Sequence, residues 1–315
     1  MKFILEDKNE NRITPEQVLS YVWSADANAA CDGLRLTFLC GENMPQIYRV
    51  YVYDGEDCVF NGYADVQKVT MDASGCSCFL YARSSACLLV DNEAQPVSLV
   101  QPTSHQIFSC FAKEFGFENA LPETAVDTLY LVQKGTSCFG VLHDFIQNAC
   151  GSNVYVNAQN ELCVYQTGSR LIVPQEQILS FSRITERGAP VSSYYYKIDS
   201  SEPYLHRLTS GYLNQAAIQR RRYVNLAAYP AGQRERLLKQ KMYEKAQSYD
   251  CLEMTVQGEV TVPLFASLQS DGTQLQAYAG YVLYARELSG SSSGVQTKLN
   301  FKKKVDLQEV AHVAE

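Results

Sequence analysis

The sequence predicts an α+β protein that is mainly β, in three domains of residues 1–100, 101–182 and 183–315. Short runs that alternate apolar and polar residues, a period typical of strands, fill the first and last of these ranges. The middle range instead carries two apolar stripes with helical spacing. A chain of 315 residues is long enough for two or three such domains and for a sizeable core.

The first domain is predicted to be a small β-barrel. Its central hairpin turns at Asp54 and Gly55, a pair in which glycine can take the positive φ of a tight turn. A sheet of many short strands must hide its edges, and closure into a barrel does so. The predicted strands lie in Leu34–Leu39, Ile47–Tyr63, Ala64–Asp72 and Cys76–Ala82, the last of them apolar on both faces.

The middle domain is predicted to be a compact module of two helices and a hairpin. Ser104 is expected to cap the first helix, and Thr136 or Ser137 the second. Gly116 and Gly151 are expected to end these helices. The phenylalanine-rich stripes of both helices are interpreted as core. The two helices and the hairpin lie in Pro102–Phe117, Gly135–Gly151 and Asn153–Gln166.

The last domain returns to strands around one helix. Its final hairpin turns at residues 289–294, and residues 302–315 are interpreted as a loose tail or a segment for a partner. The predicted elements are a tyrosine-rich extended stretch Arg183–Asp199, the helix Arg234–Tyr249, the strand Leu252–Gly258, and the paired strands Tyr281–Leu288 and Val295–Phe301.

The composition excludes several classes of protein. With 46% hydrophobic and 19% charged residues the chain is globular, and its net charge of -7 argues against a dedicated nucleic-acid binder. No run approaches the roughly 20 apolar residues that span a bilayer, so no membrane binding is expected. The first residues lack the apolar stretch of a secretory signal. The eleven cysteines, an odd number, are therefore expected to stay free in a reducing cytoplasm.

Catalytic, cofactor-binding and metal-ligating residues are not predicted at any position. Cys76 and Cys78 form one close pair, but a structural zinc site needs a second pair, so these thiols are interpreted as core. Ser84 and Ser85 lack the glycines of a nucleophile elbow, and no phosphate-binding loop is present. The histidines are far apart in the sequence and form no ligand motif: His105, His143, His206 and His312.

Two basic runs, residues 220–222 and 302–304, leave alternatives open. Each is either a solvated face or a strand-end charge that opposes aggregation. Alternatively, each is a positive surface that faces an acidic partner or passing DNA.

Three blocks, one in each third of the chain, form a recognisable order: NGYADVQKVTMDASGCSCFLYARSSACLLVDNEA, KGTSCFGVLHDFIQNACGSNVYVNAQNELCVY and GYVLYARELSGSSSGVQTKLNF. They resemble phage tail hub proteins of the late control protein D family, which includes Mu-like baseplate hubs and the hub part of type VI spike proteins. The sequence departs from the family pattern at Ala285 and Arg286, where many relatives carry a histidine, and Ser201–Ala231 matches no block.

The resemblance implies two small β-barrel domains that flank the α+β insert, and a homotrimer whose six barrels join a tail tube to a central spike. It implies no chemistry, so Arg83, in the first block, is expected to make a structural ion pair or hydrogen bond. The expected location is the bacterial cytoplasm during assembly and then a virion or phage-like tail. Residues of the interfaces are not assigned by the sequence.

Two other functions remain as alternatives. One is a carbohydrate- or ligand-binding tail adaptor, and the other is a tail-associated cell-wall hydrolase, which the many tyrosines and scattered acidic residues would suit.

Overall fold

A computed structural model of the chain describes residues 1–73, 75–127, 129–165, 168–227, 229, 231–269, 275–304 and 310–312. No helix in these ranges is both long enough and apolar enough to cross a bilayer. Strands dominate, the longer helices are divided between the middle and last thirds, and the α+β, mainly β class predicted by the sequence is confirmed.

The first third consists of seven strands. The hairpin between β5 and β6 turns at Gly55, which has a φ of 59°, as the sequence predicts. The stretch Ala64–Asp72, predicted as a separate weak strand, is the second half of the 16-residue β6. The strands are β1 (Lys2–Asp7), β2 (Arg12–Ile13), β3 (Val18–Asp26), β4 (Gly33–Leu39), β5 (Ile47–Asp54), β6 (Asp57–Asp72) and β7 (Gly75–Ser84).

The middle third packs three helices against short strands. A short 3₁₀ turn at Lys113–Phe115 follows the second helix, and Gly116 after it has a φ of 79°. The hairpin β11–β12 confirms the pairing expected within 153–166. In chain order the elements are α1 (Cys87–Asp91), β8 (Val97–Val100), α2 (Ser104–Phe111), β9 (Glu118–Asn119), β10 (Leu129–Val132), α3 (Cys138–Cys150), β11 (Val154–Val156) and β12 (Glu161–Val164).

The N-terminal cap was predicted wrongly for α2 and correctly, as one of two candidates, for α3. Thr103, not Ser104, caps α2, because Thr103 and Gln106 form a reciprocal capping box. The Ser104 hydroxyl instead donates to the carbonyl oxygen of Pro122. For α3 the structure selects Ser137, whose hydroxyl accepts from the N–H of Gly140 at 3.1 Å.

Thr103→Ala is expected to lower the free energy of unfolding by about 1 kcal/mol, because one N–H of the first turn of α2 loses its acceptor. Urea denaturation followed by circular dichroism measures the change. Ser109→Ala, at an exposed position of the same helix, is the control and should be close to neutral. Equal effects of the two substitutions would contradict the assignment of the cap.

The last third contains ten strands and two helices within the described residues. The extended stretch Arg183–Asp199 is divided between β14 and β15, and the predicted helix begins three residues early, at Ala231. The elements are β13 (Arg170–Ile172), β14 (Ile178–Thr185), β15 (Ser193–Lys197), β16 (His206–Ser210), α4 (Gly211–Gln215), β17 (Arg221–Asn225), α5 (Ala231–Gln247), β18 (Asp250–Gln257), β19 (Ser267–Gln269), β20 (Tyr281–Ser291), β21 (Gly294–Lys303) and β22 (Val310–His312).

The end of the chain is only partly covered by the structure. Residues 310–312 pair antiparallel with β16, whereas 305–309 and 313–315, part of the predicted loose tail, lie outside the described residues.

One large sheet joins the first and last thirds, in the order β14-β18-β21-β20-β3-β4-β7-β6-β5-β1-β2, with β19 and β13 attached at β20. The junction is the antiparallel pair of β20 and β3, in which Arg286 lies opposite Ala25. Two separate closed barrels are not confirmed, because no pairing among the described residues closes either half of this sheet. The smaller sheets are β8–β10, β9–β12–β11 and β17–β15–β16–β22.

Each third has a core of its own. Around the first strands the core includes Trp23, Phe38 and Phe60, and around α2 and α3 it includes Phe108 and Phe145. The core of the last third lies under β18, β20 and β21. Of the phenylalanines predicted for the helical stripes, Phe108 and Phe111 are buried, whereas Phe115 and Phe139 are half-buried against the same core.

Candidate functional site

Arg83 joins the first third of the chain to the middle module. Its Nε lies 2.5 Å from Oδ2 of Asp65 on β6, and its Nη2 lies 2.6 Å from Oδ2 of Asp91 at the end of α1. A second bond to each carboxylate makes both pairs bidentate. Hydrogen bonds from Arg83 hold the pKa of Asp91 below its usual range. The expected structural ion pair is thus present, and it ties β6, β7 and α1 together.

The cysteines of the first block are placed in and beside the core. Cys78 and Cys87 are buried, and burial raises the pKa of each thiol to about 11, so neither is an activated nucleophile at neutral pH. Cys76 faces across to Cys40, with the two Sγ atoms 3.4 Å apart. Within the described residues no group of three or more His, Cys, Asp or Glu side chains could hold a metal ion.

The four histidines do not form one cluster among the described residues. His105 is exposed on α2, and His143 lies on α3 beside Asp144. His206 on β16 stacks on Tyr196 with ring centres 5.1 Å apart, and His312 is on the paired strand β22, opposite Leu208. The structure therefore brings two of the four onto neighbouring strands, but no described group of three His, Cys, Asp or Glu residues includes them.

A cavity of about 200 Å³ lies where the large sheet meets the β11–β12 hairpin. Arg286 on β20 is buried, and its guanidinium carbon lies 4.2 Å from the centre of the Trp23 ring. The Trp23 Nε1–H donates to Asp32, whose pKa is raised by burial and lowered in part by Arg286. Nη1 of Arg286 donates to the carbonyl oxygen of Val262 at 2.9 Å. Sequence reasoning missed this cluster, since 254 residues separate Asp32 from Arg286.

The cavity bears on the hydrolase alternative. Among the described residues that line it, Asp32 is the single carboxylate, whereas most glycoside hydrolases use a pair of carboxylates. The arrangement of Trp23, Asp32 and Arg286 is therefore interpreted as a buried polar network that fixes the junction of β3 and β20.

The two basic runs have different surroundings. Nζ of Lys302 lies 3.4 Å from the centre of the Tyr284 ring, and Nζ of Lys303 lies 5.0 Å from that of Tyr212. Burial lowers the pKa of Lys302. These two lysines are packed on tyrosines and do not form a charged face. In the other run, Arg221 and Arg222 are exposed on β17.

The surfaces best suited to assembly are the edges of the large sheet. The sheet ends at β14 on one side and at the two-residue β2 on the other. On β14, Leu179 is 56% and Ile184 is 40% exposed, so this edge offers apolar side chains together with backbone groups that pair with no second described strand. The sequence predicted an extended stretch from Arg183 onward but not that a strand here would lie at an edge.

Comparison with known proteins shows which class of protein shares this fold. No protein-family model and no curated protein sequence matches the chain. The 43 kDa tail protein of prophage MuSo2 from Shewanella oneidensis superposes with a TM-score of 0.77 at 12% identity, over 98% of this chain and 99% of that chain. The tail protein from Neisseria meningitidis MC58 gives 0.75 at 14% identity, over 96% of each chain.

The chain therefore has the fold of prophage tail proteins, and the resemblance seen in the sequence blocks is confirmed at the level of the fold. The fold is also shared with c3393 from Escherichia coli, described as a type VI secretion component with similarity to the T4 tail proteins gp27 and gp5. That match has a TM-score of 0.59 at 9% identity, over 92% of this chain and 74% of the other.

Proposed function

We propose that this chain is a structural hub protein of a phage-like contractile tail, and that three copies form a ring between the tail tube and the central spike. The observation that carries the proposal is the match to prophage tail proteins over nearly the full length of both chains. The role is non-enzymatic, in keeping with neighbours that are described as tail proteins.

The open edges of the large sheet support assembly into a ring. An edge strand presents unpaired N–H and C=O groups, and a ring closes by placing one edge of each copy against the other edge of the next. In this proposal β14 of one copy lies beside the β1–β2 side of its neighbour, which would cover Leu179 and Ile184. In this proposal the two halves of the sheet act as two barrel-like units per copy, six in the ring.

The partners follow from the same proposal. Among the similar structures are complexes of PdpA and VgrG from Francisella, with TM-scores from 0.56 to 0.59. By analogy the chain would bind the spike and tube proteins of its own tail. It would assemble in the bacterial cytoplasm and remain in the finished tail particle.

Light scattering is expected to give a mass of about 106 kDa for three copies of the 35.3 kDa chain alone, or about 106 kDa plus the mass of the bound spike after mixing with the spike protein from the same genome. Ile184→Lys should shift the mass towards 35.3 kDa, because it places a charge on the β14 edge. Val100→Lys, at a 78% exposed position of β8, is the matched control and should leave the trimer intact. A monomer both alone and with the spike protein would refute the proposal.

A further inference from the structure

In the four-stranded sheet β17–β15–β16–β22, α5 covers one face, and β17 is an edge strand. The inner face of the sheet packs Tyr194 and Leu208 against Leu238 and Met242 of α5. At one edge of the sheet, β17 pairs with β15 along its inner side, and no described strand pairs with it along its outer side. The outer edge of β17 is therefore available for a partner strand as far as the described chain goes.

The backbone groups that point away from the sheet can be identified from the ladder. The carbonyl oxygen of Arg220 accepts from the N–H of Ser193, and the N–H of Leu226 donates to the carbonyl oxygen of Lys197. In a parallel ladder, alternate residues direct both backbone groups to the same neighbouring strand. Residues 220, 222, 224 and 226 thus face β15, and residues 221, 223 and 225 direct their N–H and C=O groups to the open edge.

Tyrosines line the outer face next to this edge. The rings of Tyr195 and Tyr223 stack with centres 5.5 Å apart, and Tyr204 meets Tyr223 edge to face at 5.3 Å. Tyr223 is 57% exposed. The guanidinium of Arg207 lies 5.4 Å from the centre of the Tyr195 ring. Tyrosine and arginine are the residues that most often dominate binding energy at protein interfaces.

Two exposed arginines place positive charge along the same edge. Successive residues of a strand point to opposite faces, so Arg221 lies on the face of Tyr223 and Arg222 on the other. Neither has an ion-pair partner within 4.0 Å among the described residues, whereas the chain as a whole carries a net charge of -7. An acidic segment that paired with the outer edge of β17 could therefore form ion pairs with both Arg221 and Arg222.

We propose that the edge of β17 binds an extended acidic peptide segment of a partner protein, which adds to the sheet as a further strand. Acidic side chains of the segment pair with Arg221 and Arg222, and the next side chain, apolar or aromatic, packs on Tyr223. The site lies on the four-stranded sheet and not on the edges of the large sheet, so it can fail or hold independently of the trimer.

A peptide fits this edge better than a nucleic acid does. The carbonyl groups of residues 221, 223 and 225 require hydrogen-bond donors in register, which a peptide backbone supplies and a phosphate backbone does not. The rings of Tyr195 and Tyr223 already stack on each other, so bases would find few free ring faces.

The test is fluorescence anisotropy of the full chain with a labelled heptapeptide that contains two adjacent acidic residues next to an aliphatic one, flanked by threonine and valine. Arg221→Glu is expected to weaken binding about tenfold or more, because repulsion replaces attraction. Tyr223→Pro should also weaken it, since proline removes an N–H that points to the open edge and spares the ladder with β15. Lys68→Glu, an equal charge change at an exposed position of β6, should have no effect.

Four outcomes would overturn the proposal. The first is equal affinity of the chain for a heptapeptide with lysines in place of the acids, and the second is equal peptide binding by the Arg221→Glu chain. The third is tighter binding of a single-stranded oligothymidine than of the acidic peptide. The fourth is a dimer of the free chain that the Arg221→Glu substitution dissociates. The third outcome would assign the edge to nucleic acid, and the fourth to a second copy. Unchanged circular dichroism and melting temperature of Arg221→Glu and Tyr223→Pro establish that lost binding is not lost folding.

Discussion

Gly62→Ala should destabilise the protein by about 3 kcal/mol, a large effect for a single methyl group. Gly62 is buried in β6, opposite Ser84 of β7. A Cβ at this position would lie 2.2 Å from the carbonyl oxygen of Arg83 and 2.8 Å from the ring of Phe60. The first of these is a backbone atom, so the overlap cannot be relieved by a change of rotamer.

Urea denaturation of the native protein and of Gly62→Ala measures this effect as a shift of the denaturation midpoint. Gly41→Ala is the control, because a Cβ at Gly41 would have no atom within 4 Å. That substitution should be neutral or slightly stabilising, since alanine restricts the unfolded chain. If the two substitutions have the same effect, β6 and β7 do not approach each other as closely at Gly62 as the structure shows.

Local features of the fold were predictable from the sequence. The hairpin at Gly55, the glycine after α3 and the pairing of β20 with β21, which extends from Ser291↔Gly294 to Tyr281↔Lys303, each depend on residues close to one another in the sequence. Thr103 was missed because Thr103 and Ser104 are both good caps, and only the position of Gln106 decides between them.

Long-range pairing could not be predicted in the same way. The contact of β20 with β3 brings Leu288 opposite Trp23, across more than 260 residues. The pattern of apolar and polar residues in either strand would be the same if that strand closed a barrel. The expectation of two closed barrels came from counting strand edges and from family resemblance, and neither specifies which strands pair. The sequence also gave no sign that Arg286 would be buried against an aromatic ring.

The candidate surfaces also divide into features that the local sequence predicted and features that depend on long-range pairing. Arg83 lies in a block with a recognisable pattern, and its role as a structural ion pair was expected. The β17 edge lies within Ser201–Ala231, the stretch that resembles nothing, so only its basic run was visible. Whether a strand lies at the edge of a sheet depends on the topology of the whole sheet. The local sequence of residues 220–222 would be equally compatible with a central strand.

Arg83→Met should lower the free energy of unfolding by about 2 kcal/mol at neutral pH. Removal of one partner of a buried ion pair costs about 3–5 kcal/mol, and partial exposure of these side chains reduces that cost. Methionine keeps an unbranched apolar stem, but Asp65 and Asp91 are left facing each other without a cation between them. The loss should also loosen α1, and hydrogen exchange of the α1 amides would detect this.

The pH dependence of this effect separates charge from packing. The folded-state pKa of Asp91 lies below the unfolded value near 3.8, so its ion pair adds stability above that value, and the contribution is lost as the pH falls through the lowered folded pKa. The difference between the native protein and Arg83→Met should be constant from about pH 8 to about pH 5 and shrink below about pH 4. Arg83→Lys should recover about half of it, because an ammonium cannot bind both carboxylates in a bidentate way. A difference that persists unchanged in acid would show that the charge of Arg83 does not hold β6, β7 and α1 together, and no recovery by lysine would show that a positive charge without the bidentate guanidinium is not sufficient.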